Sequence, residues 1–137
     1  LTKLAFLAGG VGVTPIRSIL RYLVDTGGGG LEVVVFYGNP NEDSIPFKQE
    51  FDEFEQALPG VRVVHVLTQP SDEWSGYRGF ITSEVIGQEL GDATAWTFYT
   101  SGPPPMVAAM RKALDELGIP KEQQVEESFG PPAKPGA

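Results

Sequence analysis

The sequence alternates short apolar runs with segments whose apolar residues recur every three or four positions. Residues 4–8 and 33–37 are continuous apolar runs, which are typical of strands buried on both faces of a sheet. Between them the spacing is that of one face of a helix. The residues with that spacing are Ile16, Ile19, Leu20, Leu23 and Val24. A strand, a helix and a second strand in this order predict a parallel pair joined by a right-handed crossover.

The same alternation continues along the chain. We expect strands at 61–67, 96–99 and 124–127, a loop at 68–79, and a short helix from Thr82, its N-cap, to residue 90. Thr14 and Pro15 suit the N-cap and first position of the first helix. The predicted fold is therefore α/β, a Rossmann-like doubly wound sheet of five parallel strands with helices on both faces. Residues 1–129 form the predicted domain, and 130–137 a Pro/Gly-rich tail or linker.

Composition excludes several classes of function. Lys and Arg number 10 against 18 Asp and Glu, a net charge of −8, which disfavours nucleic acid as a partner. The absence of cysteine excludes disulfides, thiolate catalysis and iron–sulfur ligation by this chain, and fits a cytoplasmic location. We expect no metal site and no transmembrane segment, and we expect the single His65 to be a packed strand residue. Leu1 leads almost directly into an apolar run, as expected of a piece of a longer protein.

Three loops follow predicted strands at 9–15, 38–40 and 100–105. Because the carboxyl ends of parallel strands share one edge of the sheet, we expect these loops to converge on a single crevice. Glycines just before a helix N-terminus suit a phosphate group. Gly10 and Gly12 match the first two positions of G-x-G-x-x-G, but Pro15 stands where the third glycine belongs. Taken alone, this loop is also consistent with an ordinary strand-to-helix turn.

Several stretches considered together are more specific. They are Ala-Gly-Gly-Val-Gly-Val-Thr-Pro at 8–15, Phe-Tyr-Gly-Asn at 36–39, residues 76–82, Ser-Gly-Pro-Pro with Met106 at 101–106, and Glu-Ser-Phe at 127–129. In this order and spacing the chain resembles the nicotinamide-nucleotide domain of the ferredoxin–NADP reductase family of flavoprotein electron transferases. The resemblance covers roughly residues 3–129.

The resemblance implies a role for each matching residue. At the pyrophosphate it implies contacts from Gly10, Gly12 and Val13, with Gly9 and Pro15 as further cofactor-binding residues of the same loop. At the adenosine it implies contacts from Gly38, Asn39, Gln69 and Pro70, with Phe47 as a further neighbour of the adenine. Near the nicotinamide it implies Thr14, Ser101, Gly102, Pro103 and Met106, although the helical position of Met106 favours a core role. The implied catalytic set is Thr14, Ser101, Glu127, which helps to place the nicotinamide, and Phe129, which approaches the flavin. A valine at Gly12 is expected to block nucleotide binding and to leave the fold intact.

Two departures from the family pattern stand out. Ser101 occupies a position where many members have cysteine. The family also holds FAD or FMN in a preceding antiparallel barrel, whose Arg-x-Tyr-Ser/Thr segment this chain lacks. The resemblance therefore implies the nucleotide half of a reductase, with the barrel supplied elsewhere and with an iron–sulfur, haem or oxygenase partner as electron acceptor. One alternative is a non-catalytic nucleotide-binding or regulatory module, which has no need of an aromatic residue aimed at a flavin. The other is a flavodoxin-like signalling domain, which predicts an acidic pocket at the end of the first strand, where this chain has Gly9 and Gly10.

The choice between NADH and NADPH is a question of charge. Residues 38–43 contain no basic side chain and two acids, whereas a 2′-phosphate favours arginine or lysine. Arg78 is the nearest basic candidate from another loop, and Lys48 lies one turn into the predicted helix that follows. The segment therefore favours NADH. The acidic strand-end residue that usually binds the ribose 2′-hydroxyl is missing, and we expect Asn39 to substitute for it.

Overall fold

A computed structural model describes residues 2–27 and 30–128, with only the backbone described at Val11. The strands are β1 (Thr2–Gly9), β2 (Leu31–Asn39), β3 (Val61–Leu67), β4 (Tyr77–Arg78), β5 (Thr97–Gly102) and β6 (Gln124–Ser128). The α-helices are α1 (Thr14–Thr26), α2 (Lys48–Ala57), α3 (Ser83–Leu90) and α4 (Pro104–Glu116). Short 3-10 turns lie at Gly10–Val13, Glu42–Ser44, Ala93–Ala95 and Lys121–Gln123. The predicted tail at 130–137 and the predicted flavin contact Phe129 lie outside the described residues.

All strand pairs are parallel, in the order β4-β3-β2-β1-β5-β6. The chain moves outward from β1 to β4 and then returns to build β5 and β6 on the other side of β1. This confirms the doubly wound α/β fold, with its switch point between β1 and β5. The sheet has six strands rather than the five expected, because Tyr77 and Arg78 pair with the end of β3 inside the predicted loop. Two residues are too few to show a strand pattern in sequence.

The helices divide between the two faces of the sheet. Ile16 and Leu20 of α1 pack with Phe51 and Phe54 of α2 on one face, which we call the α1 face. Ile86 of α3 packs with α4 on the other, the α4 face. This division follows from right-handed crossovers, since the chain crosses the sheet in opposite directions before and after β4. On the α1 face, the helices α1 and α2 follow the strands β1 and β2. At β6, on the same face, Val125 is half exposed and Glu127 is exposed.

The two predicted N-caps have different outcomes. Thr82 caps α3 as expected, because its hydroxyl accepts a hydrogen bond from the Val85 N–H at 3.2 Å. The prediction of Thr14 as an N-cap is wrong: Thr14 is the first residue of α1, and Val13 precedes it in a helical conformation with no side-chain cap. The reason is that the turn Gly10–Val13 is already helical and leads directly into α1. Pro15 does lie in the first turn.

His65 is a packed strand residue, as expected. It lies on β3 with its ring 5.9 Å from that of Tyr37, and burial lowers its pKa. Across the two described ranges, no helix combines the length and the apolar character that a bilayer span requires.

Candidate functional site

A cavity of about 740 Å³ lies on the α4 face, at the carboxyl ends of the first three strands. Six of the residues that the sequence predicts as cofactor contacts line it. They are Gly9, Gly10, Gly38, Asn39, Pro103 and Met106. Its remaining walls come from Pro40, Thr68, residues 79–81 and the first turns of α4. The predicted convergence of three loops is therefore present at this edge of the sheet.

Gly10 offers open backbone to this cavity. Its φ of +53° is in the left-handed region, and a Cβ built on it would meet no atom within 4 Å. Gly10 follows β1 and begins the turn into α1, so the N–H groups of this turn lie near a helix N-terminus. The position is therefore suited to a phosphate group.

Met106 forms part of the cavity wall and also closes the sheet edge. A Cβ on Gly9 would lie 2.5 Å from its Sδ atom, and a Cβ on Gly102 would lie 2.6 Å from the same atom. The absence of side chains at the ends of β1 and β5 thus makes room for the thioether. Met106 is a lining residue and a packed residue at once.

Gly12 has a different role from Gly10. A Cβ at Gly12 would lie 2.5 Å from the carbonyl oxygen of Ser101 and 2.8 Å from the Cα of Gly102. The missing side chain therefore lets the 3-10 turn pack directly on the backbone of β5. The expectation that valine at Gly12 leaves the fold intact is wrong, because that side chain would collide with main-chain atoms that cannot move aside.

Ser101 and Glu127 lie side by side on neighbouring strands, on the α1 face. The register pairs Ser101 with Ala8 on one side and with Glu127 on the other, and paired residues of parallel strands point to the same face. Ser101 is fully buried, and its hydroxyl has no hydrogen-bond partner among the described residues. Neither Ser101 nor Glu127 lines the cavity, which lies across the sheet from them. Two of the predicted catalytic residues, Ser101 and Glu127, therefore lie next to each other, on the opposite face of the sheet from the cavity.

Glu127 accepts a hydrogen bond from the hydroxyl of Tyr99, two residues before Ser101 on β5. Burial, followed by this hydrogen bond, raises the pKa of Tyr99 to about 12. Tyr99 also contacts Phe6, with 5.8 Å between ring centroids. At neutral pH Tyr99 is consequently a fixed donor that orients the Glu127 carboxylate.

The residues that join β1 to α1 connect these two regions. Val13 is fully buried in the core of the α1 face, so only its backbone is available to a pyrophosphate. Thr14 is exposed at the start of α1, and Pro15 is partly exposed next to it. The turn Gly10–Val13 thus runs from the cavity, at Gly10, to the α1 face, at Thr14.

Asn39, the last residue of β2, is a buried polar group without a partner. Its side chain is only 5% exposed, and neither its amide nitrogen nor its amide oxygen has a hydrogen-bond partner among the described residues. The Tyr37 hydroxyl donates to the carbonyl of Pro46 at 2.7 Å, and it also lies beside the Asn39 side chain, which partly offsets the rise in the Tyr37 pKa that burial causes. A buried unpaired amide is costly, and a polar ligand would remove that cost. By strand alternation the Asn39 side chain is on the side of β2 that carries Tyr37, at the strand end where the cavity begins. The expected contact with a ribose at this edge stays a prediction.

Gln69 and Pro70 lie beside the cavity rather than in its wall. The Gln69 N–H donates to the carbonyl of Pro40 at 2.7 Å, which places this segment against a lining residue. Phe47 is not a lining residue; its half-exposed ring lies under the guanidinium of Arg17 at 4.5 Å. The structure does not bring Phe47 into the cavity.

Phe80 is a cavity residue that the sequence does not predict as part of the site. Phe80 is 77% exposed and lines the cavity together with Gly79 and Ile81. An exposed aromatic ring at the mouth of an apolar cavity is suited to stacking on a flat heterocycle. The only signal in the sequence was its place within the matching stretch 76–82, since an aromatic residue in an apolar context is more often buried.

The long loop after β3 is held by its own side chains. Arg78 donates to the carbonyls of Ser71, at 3.1 Å, and of Trp74, and the Trp74 indole donates to the carbonyl of Tyr77 at 2.9 Å. Trp74 covers Gly76, whose Cβ would lie 2.6 Å from the indole, and it does not line the cavity. Of the two basic candidates for a 2′-phosphate, Arg78 thus binds loop carbonyls, and Lys48 pairs with Asp52 at 3.0 Å.

Comparison with known proteins agrees with this architecture. Residues 6–112 match the family model described as the oxidoreductase NAD-binding domain. The chain is 36% identical over 125 residues to NADH-cytochrome b5 reductase 1 of Ajellomyces capsulatus, covering 87% of this chain and 40% of that protein. It is 35% identical to the enzyme of the same name from Debaryomyces hansenii, over 87% of this chain and 43% of that protein. The chain thus spans less than half the length of these curated relatives.

Solved structures give the same result. The cytochrome b5 reductase domain of Ulva prolifera nitrate reductase has a TM-score of 0.83 at 23% identity, over 93% of this chain and 50% of that one, a likeness of fold alone. The cytochrome P450 reductase GcoB of Amycolatopsis has a TM-score of 0.82 at 25% identity, over 95% of this chain and 38% of that one. With the family model matching most of the chain, the protein belongs to the oxidoreductase NAD-binding domain family, as a nucleotide-binding domain of the ferredoxin–NADP reductase type.

Proposed function

We propose that this chain is the NADH-binding half of a flavin-dependent reductase, and that the dinucleotide lies across the carboxyl edge of the sheet. The observation that carries the proposal is the division of the site between two faces joined by one glycine-containing turn. The adenosine half would occupy the cavity on the α4 face. The nicotinamide would reach Thr14, Ser101 and Glu127 on the α1 face.

The cavity residues fit the adenosine and pyrophosphate half. Phe80 offers an aromatic surface for the adenine, and the unpaired amide of Asn39 offers hydrogen bonds to the ribose hydroxyls. Gly10 offers exposed backbone to the pyrophosphate, close to the start of α1. These contacts lie within this chain, so we expect adenosine nucleotides to bind it without any other domain.

The nicotinamide end fits a positioning role. A bound NADH supplies the hydride, and a flavin, FAD or FMN, accepts it. The buried Ser101 hydroxyl without a partner would hydrogen-bond the carboxamide. Glu127, fixed by Tyr99, would set the angle of the ring. Such orientation lowers the barrier because hydride transfer depends steeply on the distance and alignment of donor and acceptor.

The flavin would be held by a barrel domain outside this chain. The greater length of the relatives supports this proposal, as does the likeness to a flavohemoglobin from Malassezia yamatoensis that was solved with bound FAD and haem. The electrons would then pass to an iron–sulfur, haem or oxygenase partner. A cytoplasmic location remains a prediction from the absence of cysteine.

The preference for NADH over NADPH is part of the proposal. Arg78 and Lys48 both have partners within the protein, and the segment after β2 contains Glu42 and Asp43 but no basic side chain. The guanidinium of Arg78 lies near enough to act on Glu42, and its bonds to loop carbonyls all use Nη2, so the preference for NADH rests on the two acids of this segment.

Calorimetric titration with 5′-AMP tests the cavity as the nucleotide site. We expect Asn39→Leu to weaken AMP binding at least several-fold without lowering the melting temperature, because it removes a buried amide that has no partner in the free protein. His65→Leu is the matched control: it removes another buried, unpartnered polar side chain, one strand away and outside the cavity. Undiminished AMP binding by Asn39→Leu, or equal losses in both variants, would contradict the proposed site.

A further inference from the structure

Two side chains, Met106 and Met110, carry all the sulfur of this chain, because the sequence contains two methionines and no cysteine. Both lie on α4, one helical turn apart, and both line the cavity. They differ in exposure: Met110 is only 4% exposed within the core of the α4 face, whereas Met106 is partly exposed and packs against that core. A small oxidant dissolved in water therefore reaches Met106 more readily than Met110.

The thioether of Met106 fits closely against the ends of two strands. Its Sδ atom would lie 2.5 Å from a Cβ on Gly9 and 2.6 Å from a Cβ on Gly102, so it occupies the space that side chains at these two positions would fill. An oxygen bonded to Sδ on that side would collide with the backbone of β1 or β5. Any larger group at this sulfur must therefore point toward the cavity, or push the side chain of Met106 into it.

Oxidation of a thioether adds one such oxygen. With hydrogen peroxide the sulfur loses two electrons, an S–O bond forms as the O–O bond breaks, and the second oxygen leaves as water with both hydrogens. The product, methionine sulfoxide, is polar, and sulfoxide reductases return it to methionine. The cavity around Met106 is apolar, with Pro105 and Ala109 among its lining residues, and it offers the new oxygen little to bind.

We propose that Met106 is a site of reversible oxidation by hydrogen peroxide, and that its sulfoxide obstructs the cavity to adenosine nucleotides. The proposal rests on the proposed function and goes further, because it makes access to the nucleotide site depend on the oxidation state of one wall residue. Dioxygen takes electrons from reduced flavins and yields peroxide, so a reductase that lacks its acceptor produces the oxidant itself. Oxidation of Met106 would then limit the entry of further NADH.

Peptide mapping by mass spectrometry after brief treatment with dilute hydrogen peroxide tests which methionine reacts. We expect Met106 to be oxidised before Met110 in the folded chain, and both to react alike in denaturant, where both are exposed. Calorimetric titration with 5′-AMP then measures the effect on the cavity. We expect the affinity of the treated chain to fall about fivefold or more with an unchanged circular dichroism spectrum, and methionine sulfoxide reductase to restore it.

Met106→Leu and Met110→Leu are matched variants, since each removes one thioether from the same helix. Each variant is compared with itself before and after peroxide, so that a change in its starting affinity does not enter the comparison. We expect peroxide to weaken AMP binding by Met110→Leu as it does in the unmodified chain. We expect it to cause no further change in the AMP affinity of Met106→Leu.

Three results would overturn the proposal: oxidation of Met110 before Met106, undiminished AMP binding by a chain that carries Met106 sulfoxide, or an equal loss in Met106→Leu. Failure of the untreated chain to bind AMP contradicts the proposed function instead. The order of oxidation in the peptide map does not depend on AMP, so it still supports or overturns Met106 as the oxidised residue.

Discussion

The hydroxyl of Tyr99, two residues before Ser101 on β5, donates to the carboxylate of Glu127, the residue of β6 that is paired with Ser101. The carboxylate of Glu127, an exposed residue, thereby has a hydrogen-bond donor on β5 that fixes its orientation. In the proposed enzyme, this bond sets where the carboxylate meets the nicotinamide.

The Tyr99–Glu127 bond predicts a dependence of stability on pH. The pKa of Tyr99 is raised to about 12 from an ordinary value of 10.0. Its contribution to the free energy of unfolding is therefore complete below pH 10 and is lost as the pH rises toward 12, since the unfolded chain releases the proton first. We expect Tyr99→Phe to lose less stability than the unmodified chain over this interval, as measured by denaturant unfolding. Two other tyrosines contribute to the loss that remains: Tyr37, whose pKa is raised by burial, and Tyr77, whose pKa is raised by its hydrogen bond to Glu89.

Tyr22→Phe is the control for this experiment, since Tyr22 is 66% exposed on α1. We expect its stability to follow the unmodified chain at every pH. If Tyr99→Phe and Tyr22→Phe behave alike, the Tyr99–Glu127 bond does not persist in solution.

Replacing Glu127 tests its positioning role in a protein that joins this chain to its flavin-binding domain. We expect Glu127→Gln to slow flavin reduction by NADH about tenfold or more while changing NADH affinity much less, because orientation acts mainly on the transition state. Stopped-flow absorbance measures the two quantities separately. Glu126→Gln is the matched control: Glu126 is the preceding residue, points to the opposite face and pairs with Arg111. Equal effects of both variants would remove Glu127 from the site.

Gly12 is predicted to be a structural glycine. We expect Gly12→Ala to lower the free energy of unfolding by about 1–3 kcal/mol, because its Cβ would overlap the backbone of Ser101 and Gly102. Gly87→Ala is the comparison. Gly87 lies inside α3, and a Cβ there would make only an ordinary contact of 3.7 Å with Leu117. That second change is expected to raise stability by roughly 0.5–1 kcal/mol. Denaturant unfolding of a Gly12→Ala protein as stable as the parent would show that the turn does not pack on β5.

The isolated chain is predicted to be inactive by itself. We expect it to purify without colour and to show no NADH-dependent dye reduction, even with added FAD, because the proposed flavin site lies mainly in another domain.

Joining the isolated chain to the flavin-binding barrel should produce a reductase, and Phe129→Ala in that joined protein should alter how often nicotinamide occupies the flavin site. Turnover of the isolated chain with NADH and a soluble acceptor would refute the proposed dependence on a partner. A joined protein that binds NADH but never reduces its flavin would favour the non-catalytic nucleotide-binding alternative.

The periodicity of apolar residues was enough to predict most of the fold. The strand predicted at 61–67 has the same bounds in the structure, and Thr82 caps α3, because burial on a sheet and capping both depend on local sequence. The strand Tyr77–Arg78 was not predicted, because its pairing depends on where β3 ends. A pattern of two residues carries no information about that position. The prediction of Thr14 as an N-cap was wrong, because the conformation of the preceding turn depends on how that turn packs against Ser101 and Gly102.

The site was less predictable than the fold. Motif matching found Gly9, Gly10 and Asn39, but it could not place Ser101 and Met106 on opposite faces of the sheet, because a motif carries no information about side-chain direction across strands. The close fit of Met106 against Gly9 and Gly102 joins residues far apart in sequence, and only the pairing of β1 with β5 brings the two glycines together.

The right-handed crossovers leave the sheet unevenly covered, with Val125 and Glu127 exposed on the α1 face of β6 while α4 packs behind them. A nicotinamide lying along this edge would have protein on one side and open space on the other. A flavin could then approach only one side of the ring. Of the two hydrogens at the reactive carbon, the proposed placement would then expose only one to the flavin, so the handedness of the chain crossovers would set the stereochemistry of the proposed hydride transfer.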